Sequence, residues 1–147
     1  MLITLGNEIP PKIAPVSAGE RINLPYGLLE FPEHKVFNLV CMQQSWPYSI
    51  LSPVSDETTR FIVIEPAGWI QDYKINLPDR EAEWLDIYSP QDALVLNLVK
   101  IVSFDPQEVY IHVDSALIIN RNNLVGKHLQ TNSGAKMFPL TLPSHAV

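Results

Sequence analysis

The sequence predicts an all-β protein, a compact, barrel-like antiparallel β structure with one short α-helix. Three observations support this prediction. Short apolar runs rich in Val and Ile recur along the 147 residues. Thirteen prolines fall mostly between those runs, and proline belongs at strand ends and turns because it lacks the N–H that a ladder needs. One segment alone has the amphipathic spacing of a helix.

Two kinds of strand are predicted. Residues 60–65 ("RFIVIE") and 93–101 ("ALVLNLVKI") are nearly continuous apolar runs, which are typical of strands covered on both faces. Residues 108–113 ("EVYIHV") alternate instead, as half-buried strands do. Four further strands are predicted at residues 35–42, 48–52, 116–120 and 124–129.

Turn residues punctuate the strands. In "LPYGLLEF", a strand enters a turn at Pro25 and Gly27, and a lone Gly is more often a turn residue than part of a phosphate-binding loop. Residues 120–123 (Asn-Arg-Asn-Asn) predict a hairpin turn, since Asn tolerates the left-handed backbone. We assign Asn120 and Gly126 to backbone geometry as well.

The segment "NLPDREAEWLDIYSP" predicts the helix. Pro78 suits the first helical position, and residues 89–92 end the helix. One face is expected to be apolar, with Leu77, Trp84, Leu85 and Tyr88. Another face is expected to be acidic, with Asp79, Glu83 and Asp86.

We expect a single domain over residues 1–147, with its core in residues 20–130 and loosely ordered ends at residues 1–19 and 135–147. No apolar run approaches the roughly 18 residues of a membrane helix, and the N-terminal segment lacks the basic start of a secretory signal. The single cysteine, Cys41, suits a reducing compartment. A cytoplasmic protein with no membrane association is therefore expected.

The charge is unevenly distributed. The net charge of −6 argues against direct binding of nucleic acid, whose phosphates require basic residues. Nine acidic and three basic residues lie between Asp56 and Asp92, whereas no acidic residue follows Asp114. The acidic segment is either an ordinary solvated surface or a surface that meets a basic protein.

No motif predicts catalysis, a metal site or a cofactor. The four histidines are far apart in sequence, although neighbouring strands could bring His112 and His128 together. No GxSxG or glycine-rich phosphate motif occurs, and Cys41 lies in an apolar run where thiols are usually inert. The tryptophans allow an alternative, a small carbohydrate-binding or hydrolytic β-domain with a groove lined by at least two of Trp46, Trp69 and Trp84.

The segment "RINLPYGLLEF" resembles the early I-x-F-P-x-G-L-x-x-F motif of the FliW family of flagellar assembly factors. The matching positions are Ile22, Pro25, Gly27, Leu28 and Phe31. Residues 46–66, 72–101 and 116–130 resemble the later segments of that family in order and spacing. The chain departs from the usual family residues at Leu24, His112, Ala116 and His128.

The resemblance implies a cytoplasmic, non-enzymatic bacterial protein without a cofactor. It also implies two partners, flagellin before its export and the RNA-binding translational regulator CsrA, which family members antagonise. Charge clustering, rather than the family motif, predicts the partner-binding surface. Its expected carboxylates are Glu65, Asp72, Asp79, Glu83 and Asp86, with Trp69 and Tyr73 as apolar anchors.

Overall fold

The computed structural model describes residues 1–9, 19–41, 46–56, 58–131 and 137–140. These ranges contain eleven strands, the α-helix α1 (Asp79–Leu85) and a short 3-10 helix (Pro90–Asp92). The strands are β1 (Leu2–Thr4), β2 (Glu20–Asn23), β3 (Val36–Cys41), β4 (Ser49–Pro53), β5 (Phe61–Ile64), β6 (Lys74–Asn76), β7 (Ala93–Phe104), β8 (Gln107–His112), β9 (Ser115–Asn120), β10 (Gly126–Gln130) and β11 (Met137–Leu140).

Nine strands form one antiparallel sheet in the order β10-β9-β7-β5-β4-β3-β2, with β8 paired to the far part of β7 and β11 paired to β8. Strands β1 and β6 form a separate antiparallel pair. The two ends of the large sheet approach each other where Asn23 forms a bridge with Val125 and donates its N–H to the Leu124 carbonyl at 2.9 Å. The sheet is therefore barrel-like without a closed ladder, and the predicted all-β class is confirmed.

Two apolar clusters fill the interior. One contains Ile75 of β6 and Leu85 of α1, and the other contains Phe37 of β3. Strand β9 contributes to both, because Leu117 belongs to the second cluster and Ile118 to the first. Strand β9 is thus buried on both faces.

The two predicted kinds of strand are observed. Strand β7 is covered on both faces over its first half, where it lies between β5 and β9. Strand β8 alternates as expected, with Val109 and Ile111 buried while Tyr110 and His112 are half-buried. The two patterns therefore match the first half of β7 and all of β8, whereas in β5 only Val63 and Ile64 are buried and Phe61 and Ile62 are half-buried.

The expectation of loose ends is wrong for residues 2–4 and 137–140. These residues form β1 and β11, which pair with β6 and β8. Ile3 and Leu140 are buried in the first apolar cluster, and that burial holds both short strands in place. Of the remaining end residues, 10–18, 135–136 and 141–147 lie outside the described residues.

The "LPYGLLEF" segment forms two consecutive turns. In the first, Gly27 donates its N–H to the Leu24 carbonyl at 2.8 Å, with Pro25 at the second position. Gly27 has φ of 67°, and a Cβ there would lie 2.6 Å from the Pro32 Cα. The second turn spans residues 28–31 and is closed by two backbone hydrogen bonds. Glycine is therefore required at position 27 by both conformation and space.

The β9–β10 hairpin differs from the sequence expectation. Its left-handed residue is Leu124, with φ of 58°, and not an asparagine. The asparagines instead brace the loop through their side chains: Asn120 Oδ1 accepts the Asn122 N–H at 2.8 Å, and Asn123 Oδ1 accepts the Val125 N–H at 3.0 Å. Local side-chain hydrogen bonds of this kind shape the loop without a left-handed asparagine.

Gly126 lies in β10 and not in the turn itself. A Cβ at this position would lie 2.7 Å from the Ile119 Cγ1 and 3.1 Å from the Leu24 Cδ2. The absence of a side chain therefore allows β10 to approach β9 and the turn after β2.

Candidate functional site

Helix α1 presents an acidic outer face. It begins at Asp79, immediately after Pro78, so Pro78 precedes the helix and does not occupy its first position as the sequence suggested. Ala82 and Leu85 are buried against the core. Asp79 and Glu83, four residues apart, are exposed on the solvent side.

The helix ends at a left-handed residue. Asp86 has φ of 61° and ψ of 36°, and its N–H donates to the Glu83 carbonyl at 3.1 Å. The Ile87 N–H donates to the Ala82 carbonyl at 2.9 Å, which completes the helix-terminating turn. Asp86 remains exposed. We call the exposed carboxylates of Asp79, Glu83 and Asp86 the α1 acidic surface.

The α1 acidic surface retains most of its charge. In the described part of the chain, Glu83 and Asp86 have no ion-pair partner. The Asp79 Oδ1 lies 3.4 Å from the Met1 amino group, but the Asp79 side chain is fully exposed, at 103%. An exposed pair of this kind contributes little and is screened by salt. The three carboxylates are therefore available to a partner.

An aromatic pair lies beside this surface. Trp84, 41% exposed, packs on Tyr26 of the first turn with ring centroids 5.4 Å apart. The Lys127 Nζ lies 4.8 Å from the Tyr26 centroid and 5.4 Å from the Trp84 centroid. The same ammonium forms an ion pair with Glu81 at 2.8 Å. Lys127 thus holds the two rings in place and neutralises Glu81, which lies outside the α1 acidic surface.

The predicted apolar stripe of the helix is wrong at Trp84 and Tyr88. Successive helical residues are about 100° apart, so Trp84 does not share the buried face of Leu85. Tyr88 follows the left-handed Asp86, where the helical period no longer applies. Tyr88 is 74% exposed, and a hydrogen bond to the Asp86 carboxylate raises the pKa of its phenol. Both aromatic side chains are therefore next to the acidic residues and in contact with solvent.

Two other predicted carboxylates lie away from α1. Glu65 faces Arg121, with 3.9 Å between Oε1 and Nη2. Asp72 accepts a hydrogen bond from the Asn7 side-chain amide at 3.1 Å and has φ of 56°. Asp72 precedes β6 and Asp79 follows it, so the two lie at opposite ends of that strand. Of the five predicted carboxylates, the structure therefore places three, those of Asp79, Glu83 and Asp86, on α1 or at its end.

The predicted apolar anchors are not the most exposed aromatic side chains. Tyr73 is 7% exposed, and its hydroxyl accepts a hydrogen bond from the Asn97 amide at 3.1 Å, so the expectation that it is a surface anchor is wrong. Trp69 is half-buried and packs against Trp46 with centroids 5.7 Å apart. Core packing of Tyr73 explains its position, because the first apolar cluster extends to the loop before β6.

Asn120 connects the β9–β10 hairpin to the end of α1. Its side chain is 2% exposed, and its Nδ2 donates to the Leu85 carbonyl at 2.9 Å and to the Asp86 carbonyl at 3.1 Å. Carbonyls at a helix C-terminus lack partners within the helix. Asn120 therefore has a second role beyond its own turn, since it positions the end of the α1 acidic surface.

His128 joins the second turn to β9. Its Nδ1 accepts the Leu29 N–H at 3.0 Å, so the ring proton is on Nε2 and is directed to the Ser115 Oγ, also at 3.0 Å. Burial lowers the pKa of His128 to about 4, and His112 acts in the same direction while Asp114 opposes it. Among the described residues, no group of three or more His, Cys, Asp or Glu side chains is arranged to hold a metal ion.

Cavities among the described residues include two that are lined by predicted site residues or histidines. One, of about 430 Å³, is lined in part by Glu65 and Arg121. The other, of about 380 Å³, is lined in part by His112, His128 and residues 28–31. No tryptophan lines either cavity. Neither therefore provides the groove that the carbohydrate-binding alternative requires.

Across the described residues, no helix combines the length and apolar character that crossing a membrane requires.

Comparison with known proteins identifies the family. The FliW protein family matches residues 12–138. The flagellar assembly factor FliW of Clostridium acetobutylicum is 32% identical over 116 residues, which cover 79% of this chain and 82% of that protein. Its counterpart from Clostridium botulinum (strain Alaska E43 / Type E3) is 27% identical over 110 residues, 75% of this chain and 77% of that protein.

A solved structure agrees at the level of the fold. The crystal structure of a flagellar assembly factor FliW superposes with a TM-score of 0.73 at 21% identity, covering 96% of this chain and 99% of that chain. The family match spans most of the sequence, and the antiparallel fold agrees with it. This chain therefore belongs to the FliW family.

Proposed function

We propose that this protein is a non-enzymatic, cytoplasmic flagellar assembly factor that binds flagellin and antagonises a CsrA-type translational regulator. Membership of the FliW family supports the general role, since the relatives are named flagellar assembly factors. The observation that carries the proposed mechanism is the α1 acidic surface, whose carboxylates are exposed and mostly free of cations in the described part of the chain.

The charge of this surface suits a basic partner. An RNA-binding regulator must carry Lys and Arg to neutralise phosphates. A set of exposed carboxylates attracts such a protein and repels RNA from the same region. Electrostatic attraction of this kind accelerates association. It weakens as added salt shortens the screening length, which is roughly 10 Å at an ionic strength of 0.1 M.

Exposed aromatic side chains supply the apolar part of the surface. Trp84 directly follows Glu83 and is 41% exposed, and Tyr88 lies two residues after Asp86 and is 74% exposed. Interface hot spots are enriched in Trp and Tyr. We therefore replace Tyr73 by Trp84 and Tyr88 as proposed anchors, while Glu65, Trp69 and Asp72 remain candidates for a second contact region.

Calorimetric titration of the protein with CsrA and with flagellin from the same bacterium tests the proposal. A variant with Asp79→Asn, Glu83→Gln and Asp86→Asn removes three charges, and Asn is tolerated at the left-handed position 86. We expect at least one partner to bind the variant about tenfold more weakly, which corresponds to ~1.4 kcal/mol.

The matched control removes three exposed charges elsewhere, with Glu20→Gln, Glu33→Gln and Asp105→Asn. It should bind within about twofold of the unmodified protein, since isolated exposed charges contribute little. Equal losses in both triple variants would mean that α1 is not the contact. If the unmodified protein bound neither partner at micromolar concentration and low salt, the proposed function itself would be wrong.

A further inference from the structure

The 380 Å³ cavity lies between the second turn, residues 28–31, and the strands β8 and β10. Its volume is at the small end of the roughly 300–1,000 Å³ that ligand pockets occupy. None of its lining residues belongs to α1, so it is separate from the α1 acidic surface. The cavity is lined in part by the second turn of the "LPYGLLEF" segment, which has no role in the proposed function.

The cavity carries negative charge that the described residues do not neutralise. Glu30 and the half-buried Asp114 line it, and neither side chain forms an ion pair or hydrogen bond within the described ranges. Among the described residues, no Lys or Arg lines the cavity. His128 does not offset the charge, because its ring is held as the neutral form between the Leu29 N–H and the Ser115 hydroxyl. Glu30 is exposed, whereas Asp114 is half-buried, so the charge of Asp114 is screened less than that of a surface carboxylate and attracts a cation more strongly.

The rim of the cavity is apolar. Leu29, Phe31 and Met137 line it and are 47%, 42% and 38% exposed. Such a cavity complements a side chain with a cationic group on an alkyl stem. The stem can pack against the apolar walls while the cationic group pairs with a carboxylate. The Phe31 ring, which packs against Phe61 with ring centroids 5.2 Å apart, adds apolar surface to this rim.

We propose that this cavity binds the guanidinium group of an arginine side chain presented by a partner polypeptide. A guanidinium presents five donors in one plane, which suits a cavity lined by two carboxylates, Glu30 and Asp114, and it is more weakly hydrated than an ammonium. Leu29, Phe31 and Met137 are partly exposed, so residues flanking the arginine in a polypeptide have apolar surface to contact. The proposal is independent of the α1 acidic surface.

The test is an NMR titration of the full-length ¹⁵N-labelled protein with N-acetyl-arginine-amide, following the amides of Leu29, Asp114 and Ser115. We expect saturable shifts at these amides at millimolar concentration. Asp114→Asn should weaken binding about tenfold, as expected for loss of a hydrogen bond to a charged group. The matched control, Asp105→Asn on the exposed β7–β8 hairpin, should bind like the unmodified protein.

Other probes decide the chemistry. N-acetyl-norleucine-amide should give no saturable shift, and equal binding of this uncharged probe would overturn the role of the carboxylates. N-acetyl-lysine-amide should bind more weakly, and equal or tighter binding would overturn the preference for guanidinium. Tighter binding of free agmatine than of the blocked arginine would overturn the polypeptide source. Absence of saturation with the arginine probe at tens of millimolar would overturn the site, since the unmodified spectrum shows independently that the protein is folded.

Discussion

The side chain of Asn120 is expected to contribute more to stability than any other polar side chain of its hairpin. Substitution Asn120→Ala removes two donated hydrogen bonds, to the Leu85 and Asp86 carbonyls, and one accepted from the Asn122 N–H. The Leu85 carbonyl then loses a partner in a buried environment, whereas the other two groups are only partly buried.

The magnitude follows from these three bonds. A buried group left without its partner costs about 1–3 kcal/mol, and a typical hydrogen bond contributes about 0.5–1.5 kcal/mol. Together they give ~3 kcal/mol for Asn120→Ala, out of a total stability of about 5–15 kcal/mol. For a chain of this size, the midpoint of thermal unfolding should fall by roughly 6–12 °C.

Urea unfolding followed by circular dichroism measures the effect. The matched control is Asn123→Ala, which removes one bond to the Val125 N–H at an exposed position and should cost less than ~1 kcal/mol. Asn120→Asp should be at least as damaging as Asn120→Ala, because a carboxylate would face two carbonyls. Equal stability of the Asn120→Ala and Asn123→Ala variants would refute the reasoning that the amide secures the end of α1.

Three further predictions concern stability measured in the same way. Gly27→Ala should cost about 2–4 kcal/mol, because φ is 67° and the new Cβ would lie 2.6 Å from Pro32; a cost below ~0.5 kcal/mol contradicts this. Asp86→Gly should add ~1 kcal/mol, since it relieves a left-handed residue and removes a negative charge at a helix C-terminus; a loss of stability contradicts this. The pKa of His128 is about 4 in the folded protein and near 6.5 in the unfolded chain. The contribution of neutral His128 to the free energy of unfolding is therefore complete above pH 6.5, and about 3 kcal/mol of stability is lost as the pH falls to 4. His128→Gln should therefore show a shallower pH dependence of unfolding, and parallel curves would contradict it.

The long strands could be predicted because their burial leaves a pattern in the sequence. Strand β7 is covered on both faces and reads as a continuous apolar run, while β8 alternates. Strands β1, β6 and β11 have only three or four residues, which is too few for a period to be recognised. Their positions depend on partners distant in sequence, as with Ile3 and Ile75.

The left-handed residue of the β9–β10 hairpin could not be predicted from local preference. Asparagine adopts this conformation more readily than leucine, yet Leu124 adopts it here. The Leu124 N–H donates to the Asn120 carbonyl, and its own carbonyl accepts the Asn23 N–H from β2. Backbone contacts on both sides therefore determine the conformation, and one of them comes from a strand about a hundred residues earlier in the chain.

The candidate site was predictable where its geometry is local. The spacing of Asp79 and Glu83 places them on one helical face whatever the helix packs against. Which aromatic side chains are exposed depends on tertiary packing, which buries Tyr73 and leaves Trp84 partly exposed, the opposite of what the sequence predicts. The role of His128 had no local signal, because its partner Leu29 lies 99 residues away.

The association rate between this protein and a CsrA-type regulator, measured over a range of salt concentrations, shows whether the α1 acidic surface attracts a basic partner. If these carboxylates attract the regulator, the rate falls as salt increases, and the Asp79→Asn, Glu83→Gln, Asp86→Asn variant associates more slowly at low salt with a smaller salt dependence. The same rate and the same salt dependence in the variant and the unmodified protein would contradict it.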